Sequence, residues 1–349
     1  MLELSDRFEI VDLGICEEWV YDIEIENIHN FFANNILVHN STFFNLEKLV
    51  DENFTNVDYN STEVIDFLDN WAIEKLEPYY VDKFAELAIY LNAKENKMHM
   101  KREKICPSGI IRGKKNYILL VSDNEGVRFD KPKFTPVGVE YRRTSTPDYV
   151  KPIMKKCYVE MLQHDKHNPK EAEVRLQDII SDFRKEYETA DLADIAFPRG
   201  IKDMDKWFNP KDNTQWIKGA PIHVKAGITH NKLLKETGLY KQYPFINNGD
   251  KIKFIYLKHP NPTNTNTIGF KDFLYSEFEI DKYIDKEMQF NKSFLEPIRS
   301  LTSLLGWNTE KINSIGDMFG LDETEKFVPT AKPKRVADVS NAISLDDLF

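Results

Sequence analysis

The stretch FFANNILVHNSTFFNLE, residues 31–47, decides how the chain divides, because two unrelated patterns meet inside it. Its first half is a short apolar segment that ends at His39-Asn40, and its second half starts afresh at Ser41. An Asn side-chain amide can attack its own main-chain carbonyl, and a neighbouring His can assist by proton transfer. The Ser41 hydroxyl is a nucleophile that can accept an acyl group. The junction therefore combines the groups needed for peptide cleavage and ligation.

The charge distribution changes at the same point. Residues 1–40 contain nine acidic residues and one basic residue, a net charge of −8, whereas the whole chain of 349 residues carries −10. Hydrophobic residues make up 41% and charged residues 30% of the chain, which is typical of a soluble protein long enough for two or three domains. The sequence shows neither a membrane-spanning apolar run nor a signal peptide, and its three scattered cysteines indicate neither a disulfide framework nor a zinc site.

Short strands are predicted throughout the acidic segment. FEIVDL at 8–13 and VYDIEI at 20–25 have strand patterns, and 31–38 contains a third strand with Asn34-Asn35 as a tight turn. A β segment of this size is too small to form a core alone, so we expect it to need a partner in this chain or on another one.

The motifs of the acidic segment resemble the C-terminal splicing blocks of inteins. The family pattern is matched in order by Tyr21-Asp22, His29-Asn30-Phe31, the apolar strand 36–38, His39-Asn40 and Ser41. The N-terminal intein blocks are not found in the sequence. The segment therefore resembles the C-terminal half of a split intein, a short all-β half of the Hint fold.

This resemblance implies autocatalytic splicing in trans, without a metal or cofactor. Ser41 would attack the other splice junction and collect the N-terminal flanking sequence, and Asn40 would cyclise and cut the branch. His39 would assist that cyclisation, His29 would tune proton transfers, and Asp22 would act at the N-terminal junction.

A nuclease is an alternative interpretation of the same segment. Asp22-Ile23-Glu24 also fits the DxE motif of proofreading exonucleases, whose paired carboxylates hold metal ions. Such an enzyme needs further acidic motifs spread over a whole domain, and the acidic block ends too soon to supply them.

After Ser41 the periodicity predicts a mixed α/β segment and then a mainly helical one. A helix is expected after Ser61, interrupted at Pro78, and 97–103 alternates like a strand. Residues 116–122 and 127–129 have the pattern of a β-hairpin. Further along we expect a long helix with Thr146 as N-cap, Pro147 in its first turn and Pro152 marking a kink or a later start, a helix over 171–188, a strand over 252–257 and mainly helix over 281–306.

The sequence Arg112-Gly113-Lys114-Lys115-Asn116-Tyr117 combines two cations with an aromatic ring at the mouth of this hairpin, which suits a phosphate backbone. Together with Arg102-Glu103, the turn at 124–126, Ser145-Thr146-Pro147 and Pro221–Ile228, it resembles the palm and thumb of family B DNA polymerases of large tailed bacteriophages. The resemblance extends, with gaps, from Ser41 to about Glu323.

Several roles follow from this second resemblance. Lys114, Lys115 and Tyr117 would hold primer-template DNA, and Glu103 would lie near the Mg²⁺ ions of the assembled enzyme. STFF at 41–44 resembles the end of the Tyr-Gly-Asp-Thr-Asp-Ser turn that carries the two catalytic aspartates of the family. Those aspartates are not found in this sequence, so a partner polypeptide would have to supply them.

The end of the chain has the composition of a tethered peptide. Residues 324–343 lose apolar periodicity and gather proline and basic residues, which is typical of a flexible linker. The terminal residues Leu345, Leu348 and Phe349 resemble the peptide with which related phage polymerases dock on their sliding clamp.

The sequence therefore predicts an α+β multidomain precursor that is spliced into a replicative DNA polymerase in the cytoplasm of an infected bacterium. The expected parts are a split-intein segment at 1–40, a palm segment at 41–143, a thumb at 144–323 and a flexible tail at 324–349. The expected partners are an N-terminal polypeptide, primer-template DNA and a sliding clamp, with no membrane. The alternative is a non-catalytic DNA- and clamp-binding subunit whose first strands are merely structural.

Overall fold

The computed structural model describes residues 43–55, 57–163 and 168–311, together with the backbone of 31–33 and 36–38. These residues fall into two units. Of the described residues, those from 31 to 115 and from 119 to 135 form the first unit. Those from 116 to 118 and from 136 to 311 form the second. No helix in the described ranges has the length and apolar character needed to cross a bilayer.

The first unit begins with two short antiparallel strands, β1 (Phe31–Ala33) and β2 (Ile36–Val38), in which Ala33 pairs with Ile36. The predicted third strand of the acidic segment is thus a pair of strands. The predicted turn at Asn34-Asn35 lies outside the described residues, as do the strands predicted at 8–13 and 20–25.

Three helices follow: α1 (Glu47–Asn53), α2 (Thr62–Trp71) and α3 (Glu77–Tyr90). The Ser61 hydroxyl accepts a hydrogen bond from the Val64 amide, so the predicted helix start at Ser61 is confirmed. The predicted interruption at Pro78 is wrong. A π-helical turn at Ala72–Leu76 joins α2 to α3, and Pro78 lies in the first turn of α3, where a missing N–H is tolerated.

A four-stranded sheet follows, most of which belongs to the first unit. Its strands are β3 (Lys104–Ile105), β4 (Ser108–Gly113), β5 (Asn116–Asn124) and β6 (Val127–Val137), and β5 pairs with the other three. The predicted hairpin is confirmed as β5 and β6. The strand predicted at 97–103 is wrong, because that stretch is irregular and only β3, directly after it, joins the sheet.

The second unit is built from six helices and five strands. They are α4 (Lys151–Leu162), α5 (Pro169–Thr189), α6 (Leu192–Ile195), β7 (Phe197–Gly200), β8 (Phe208–Asn209), β9 (Asp212–Trp216), α7 (Ile222–Glu236), β10 (Lys251–Tyr256), β11 (Thr267–Phe270), α8 (Lys286–Phe290) and α9 (Glu296–Thr302). The helix predicted at 171–188 and the strand predicted at 252–257 are confirmed as α5 and β10. The late start suggested by Pro152 is also confirmed.

The predicted N-cap at Thr146 is wrong. The Thr146 hydroxyl donates to the Glu140 carbonyl oxygen at 2.8 Å instead of accepting from a helix amide. A short 3-10 turn at Asp148–Val150 separates it from α4.

Helix α7 packs against a three-stranded antiparallel sheet in the order β11-β10-β7. Small residues allow a close approach: a Cβ atom placed on Gly269 of β11 would lie 3.1 Å from the backbone carbonyl carbon of Ala226 in α7. The Asn231 side chain then fixes the following loop, because it both donates to and accepts from the Ile246 backbone at 2.8 Å. This sheet and helix position the cationic residues described below.

Candidate nucleic-acid interface

Lys114 and Lys115 form the two-residue turn between β4 and β5, and both side chains are exposed. Lys115 has a φ of 53°, in the left-handed region that glycine and asparagine normally occupy. A bulky residue in that region costs about 1–2 kcal/mol. Lys115 therefore occupies a turn position at which glycine or asparagine would be more stable. A functional need for the positive charge would account for a lysine there.

Tyr117 lies one residue further along, as the second residue of β5, and its side chain is half-buried. Ile118, the next residue, is fully buried. The hairpin thus places two exposed cations directly before a half-buried ring, which is the arrangement that the sequence predicted for contact with a phosphate backbone. The DNA-binding role of these three residues stays a prediction.

Glu103 has an exposed side chain just before β3 and forms an ion pair with its neighbour Lys104. Its backbone is held firmly, because the Glu103 carbonyl oxygen accepts a hydrogen bond from the Glu125 amide at 2.6 Å. The preceding residue, Arg102, is tied to two carboxylates: it forms an ion pair with Asp123, and its Nε donates to Asp69 Oδ1 at 2.9 Å.

Asp123 is the centre of this ion network. Burial alone would raise the pKa of its carboxyl, but the Gly126 amide and the guanidinium groups of Arg102 and Arg128 outweigh that effect and hold the pKa below its usual value. Arg128 also reaches Asp66 of α2 at 2.8 Å. The network joins α2, the segment before β3 and the β5–β6 turn.

The carboxylates of the described residues do not by themselves suit a divalent metal ion. No group of three His, Cys, Asp or Glu side chains with ligand geometry occurs within the described ranges. Asp69 and Asp123 already bind arginines, and Glu103 stands apart from them as a single exposed carboxylate. At most, Glu103 could add one oxygen ligand to a metal site completed by another polypeptide.

A second cationic cluster lies in the second unit, around Arg199 of β7. Arg199 is half-buried and pairs across the sheet with Ile252. Burial first, and then repulsion from Arg143, lower the pKa of the Arg199 guanidinium, with only partial opposition from Glu140. Among the residues that the structure describes, the Arg199 side chain makes no hydrogen bond or ion pair, whereas Arg143 binds Glu140 at 2.6 Å.

His223 completes this cluster from the first turn of α7. Its imidazole is half-buried, and burial followed by repulsion from Arg199 lowers its pKa. Pro221 precedes the helix and supplies no side-chain cap. The Val224 and Lys225 amides both donate to the Pro221 carbonyl oxygen at 3.0 Å, and the helix N-terminus contributes further positive potential.

The Arg199–His223–Arg143 cluster can bind an anion such as a phosphate group. An anion would relieve the repulsion between the two guanidinium groups and would accept hydrogen bonds from the unpaired Arg199. The sequence prediction included the segment 221–228 but missed Arg199. The available signal was the run from Ile195 to Lys202, which is mostly apolar, contains one arginine and holds no acidic residue.

The remaining predicted site residues lie outside the described residues. They are the proposed splicing residues Asp22, His29, His39, Asn40 and Ser41, and the proposed clamp-binding residues Leu345, Leu348 and Phe349.

Comparison with known proteins relates this chain to DNA polymerases. No protein-family model matches it. The DNA-directed DNA polymerases of Enterobacteria phage T4 and Escherichia phage RB69 are each 27% identical to it, over 293 and 298 residues, or 80% of this chain. The chain spans 31% of the length of each of these two proteins.

A match to an archaeal protein covers more of the chain. The DNA polymerase of Methanocaldococcus jannaschii is 23% identical over 348 residues, which cover 92% of this chain and 19% of that protein. Since 92% of 349 residues is about 321, and only 309 residues follow Asn40, the match extends into the first 40 residues.

Proposed function

We propose that this chain is the C-terminal part of a family B DNA-directed DNA polymerase, joined by protein trans-splicing to an N-terminal polypeptide that carries the catalytic aspartates. Residues 1–40 act as the C-terminal half of a split intein. The similarity to DNA-directed DNA polymerases over 80% of the chain carries the proposal. Because the chain spans less than a third of those proteins, it represents a fragment of such an enzyme.

The archaeal match supports the assignment of both segments to one precursor. It extends across the junction at Asn40-Ser41, where the charge and the motifs of this chain both change. The alternative interpretation, a non-catalytic DNA- and clamp-binding subunit with a structural N-terminal β segment, does not by itself account for a polymerase that matches on both sides of that junction.

In the joined enzyme, the residues of this chain bind and orient DNA. Lys114 and Lys115 contact phosphates at the hairpin, and Tyr117 packs beneath the backbone. The Arg199 cluster holds a phosphate of the duplex from the second unit. Mg²⁺, when bound by the aspartates of the partner polypeptide, neutralises charge during nucleotidyl transfer. Glu103 lies at the edge of that site.

In the precursor, the reacting groups for splicing come from this chain and from the N-intein on the partner polypeptide. The Ser41 oxygen attacks the ester or thioester at the N-terminal junction. The acyl group passes to Ser41, and the nucleophilic side chain of the N-intein leaves and takes up the proton that Ser41 loses. Cyclisation of Asn40 then breaks the bond to Ser41 and frees its amine, and His39 assists by proton transfer. The acyl group moves from the Ser41 oxygen to that amine, and a peptide bond results.

The experiment mixes the full chain with the polypeptide that carries the polymerase N-terminal region and an N-intein. We expect a ligated product by mass spectrometry, and primer extension by the product but not by this chain alone. Asn40→Ala should block release of the intein, and Ser41→Ala should block ligation, whereas Ser5→Ala should leave both intact. Template-directed extension by the purified chain alone, or full ligation with Asn40→Ala, would contradict the proposal.

A further inference from the structure

Helix α3 is apolar on two adjoining faces, and the described residues bury only one of them. Phe84, Leu87 and Ala88 are buried against the first unit, each 7% exposed. The other face consists of exposed apolar residues at helical spacing, Pro78, Val81, Ala85 and Ile89, which we call the α3 stripe. A surface helix normally has a polar outer face, whereas a helix that is apolar on two faces is normally covered on both.

The α3 stripe is strongly exposed and continues past the end of the helix. Val81 is 58% and Ile89 is 81% exposed, and Tyr90 and Leu91 extend the apolar surface beyond them. Asp82 is exposed beside Val81 and lies at the edge of the stripe, whereas Lys83 and Glu86 bind one another at 3.0 Å. Scattered apolar residues are ordinary on protein surfaces, but a contiguous patch at regular spacing marks an interaction site.

We propose that the α3 stripe is the docking surface for the N-terminal polymerase polypeptide, a contact that rests on the proposed function. This chain spans 31% of the phage polymerases that it resembles, so under the proposed function more than two thirds of the enzyme lies on the other polypeptide and needs a surface of this chain to pack against. The stripe lies in the part of the first unit that follows the proposed splice junction. The partner surface is therefore an apolar patch that covers Val81, Ala85 and Ile89.

Cysteine labelling tests this contact on the intact proteins. Ala85→Cys places a reactive thiol in the middle of the stripe, and Val174→Cys places a matched thiol on the exposed face of α5, where Val174 is 41% exposed. Maleimide labelling of each thiol is followed by peptide mass spectrometry in two proteins. One is the full chain, and the other is a direct genetic fusion of the N-terminal polypeptide to Ser41, which needs no splicing.

We expect residue 85 to react at least tenfold more slowly in the fusion than in the chain, and residue 174 to react at the same rate in both. Equal reactivity of residue 85 in the two proteins would overturn the proposal. Slow reaction in the chain alone would also overturn it: dependence on concentration would indicate a second copy, and independence of concentration would indicate another segment of this chain.

A second variant separates the contact from the proposed function. Ile89→Lys should lower the Tm of the fusion by several degrees and leave that of the chain unchanged, and Val174→Lys should change neither. An Ile89→Lys fusion that is as stable as the unmodified fusion would count against the docking surface. Primer extension by the unmodified fusion is measured separately and tests the proposed function. If the fusion extends primers while residue 85 stays reactive, the docking proposal is wrong and the proposed function stands.

Discussion

Arg102 and Asp123 form a buried ion pair: the Asp123 side chain is completely inaccessible to solvent, and that of Arg102 is 13% exposed. The pair lies between α2 and the β5–β6 turn, and its other hydrogen bonds go to Asp69, Gly126 and Arg128. Because a buried charge is costly unless it is fully paired, this pair makes the first unit sensitive to the loss of either partner.

Asp123→Asn is expected to destabilise the chain by roughly 3–5 kcal/mol, because it leaves the largely buried Arg102 guanidinium without its fully buried carboxylate partner. The free energy of unfolding in urea is the measurement. Lys83→Met, which breaks the exposed pair with Glu86, is the control and should cost less than about 1 kcal/mol. Equal losses in the two variants would show that the buried network contributes no more than a surface pair.

His230 should make the stability of the second unit depend on pH. The residue is 1% exposed, lies between the rings of Tyr275 and Phe278, and burial lowers its pKa to about 4. The stabilising contribution of the neutral imidazole is fully present above the unfolded pKa near 6.5. It is lost as the pH falls towards 4, by roughly 3 kcal/mol in total.

The measurement is the free energy of unfolding between pH 7 and pH 4. His230→Leu should flatten this part of the profile, whereas replacing the exposed His99 by Leu should not. A profile of unchanged slope in His230→Leu would assign the pH dependence to other groups.

Lys114→Ala combined with Lys115→Ala should weaken DNA binding by the joined polymerase without changing its sequence preference. If each lysine neutralises one phosphate, the slope of log affinity against log salt should fall by about 2. Affinity is measured by fluorescence anisotropy at several salt concentrations. Lys155→Ala with Lys156→Ala, a pair on the exposed side of α4, is the control. An unchanged slope would show that Lys114 and Lys115 are ordinary solvated surface lysines that contact no phosphate.

Arg199→Met is expected to lower DNA affinity while leaving the free energy of unfolding unchanged or higher. The guanidinium is half-buried beside Arg143 without a carboxylate of its own, so its removal relieves repulsion in the free protein. In the proposed complex with DNA, the same substitution would remove a phosphate contact. Arg175→Met, which removes an arginine paired with Glu160 and Glu171, is the control for affinity. Loss of both stability and affinity in Arg199→Met would indicate a structural arginine instead.

Deletion of residues 344–349 should leave splicing and short primer extension intact and reduce clamp-dependent synthesis on long templates. Burial of a Leu and a Phe in a clamp pocket would contribute roughly 3–6 kcal/mol before the cost of ordering the tail is subtracted. Replacement of 344–349 by a Gly-Ser peptide of equal length controls for tether length. Undiminished clamp-stimulated synthesis by the deletion variant would refute a role in clamp binding.

Local patterns in the sequence predicted much of the secondary structure. The cap at Ser61, the β5–β6 hairpin and α5 follow from signals contained within a few residues, and the structure has them. Thr146 and Pro78 show where such signals fail. The Thr146 hydroxyl donates to the Glu140 carbonyl oxygen and caps no helix amide, and Pro78 lies in the first turn of α3, after a π-helical turn that ends at Leu76.

Long-range pairing could not be predicted in this way. Arg102 binds Asp69 and Asp123, which are 33 and 21 residues away, and nothing in the intervening sequence specifies that choice. Arg199 differs from Arg102, because its side chain forms no ion pair with a carboxylate among the described residues. Only the packing of β7 beside α7 shows that Arg199 lies close enough to Arg143 and to His223 to lower the pKa of the imidazole and to be repelled by the second guanidinium.

The contact between Gly269 and Ala226 has a consequence for any measurement of DNA binding in salt. The spacing of α7 from its sheet, and with it the separation of His223 from Arg199, is set by the absence of a side chain and not by an ion pair. Dissolved ions screen charges but do not alter steric contact. The separation of His223 from Arg199 should therefore be the same in dilute and concentrated buffer, so that at these two residues a salt titration reports the electrostatics of the bound polyanion and not a change in the spacing of the binding groups.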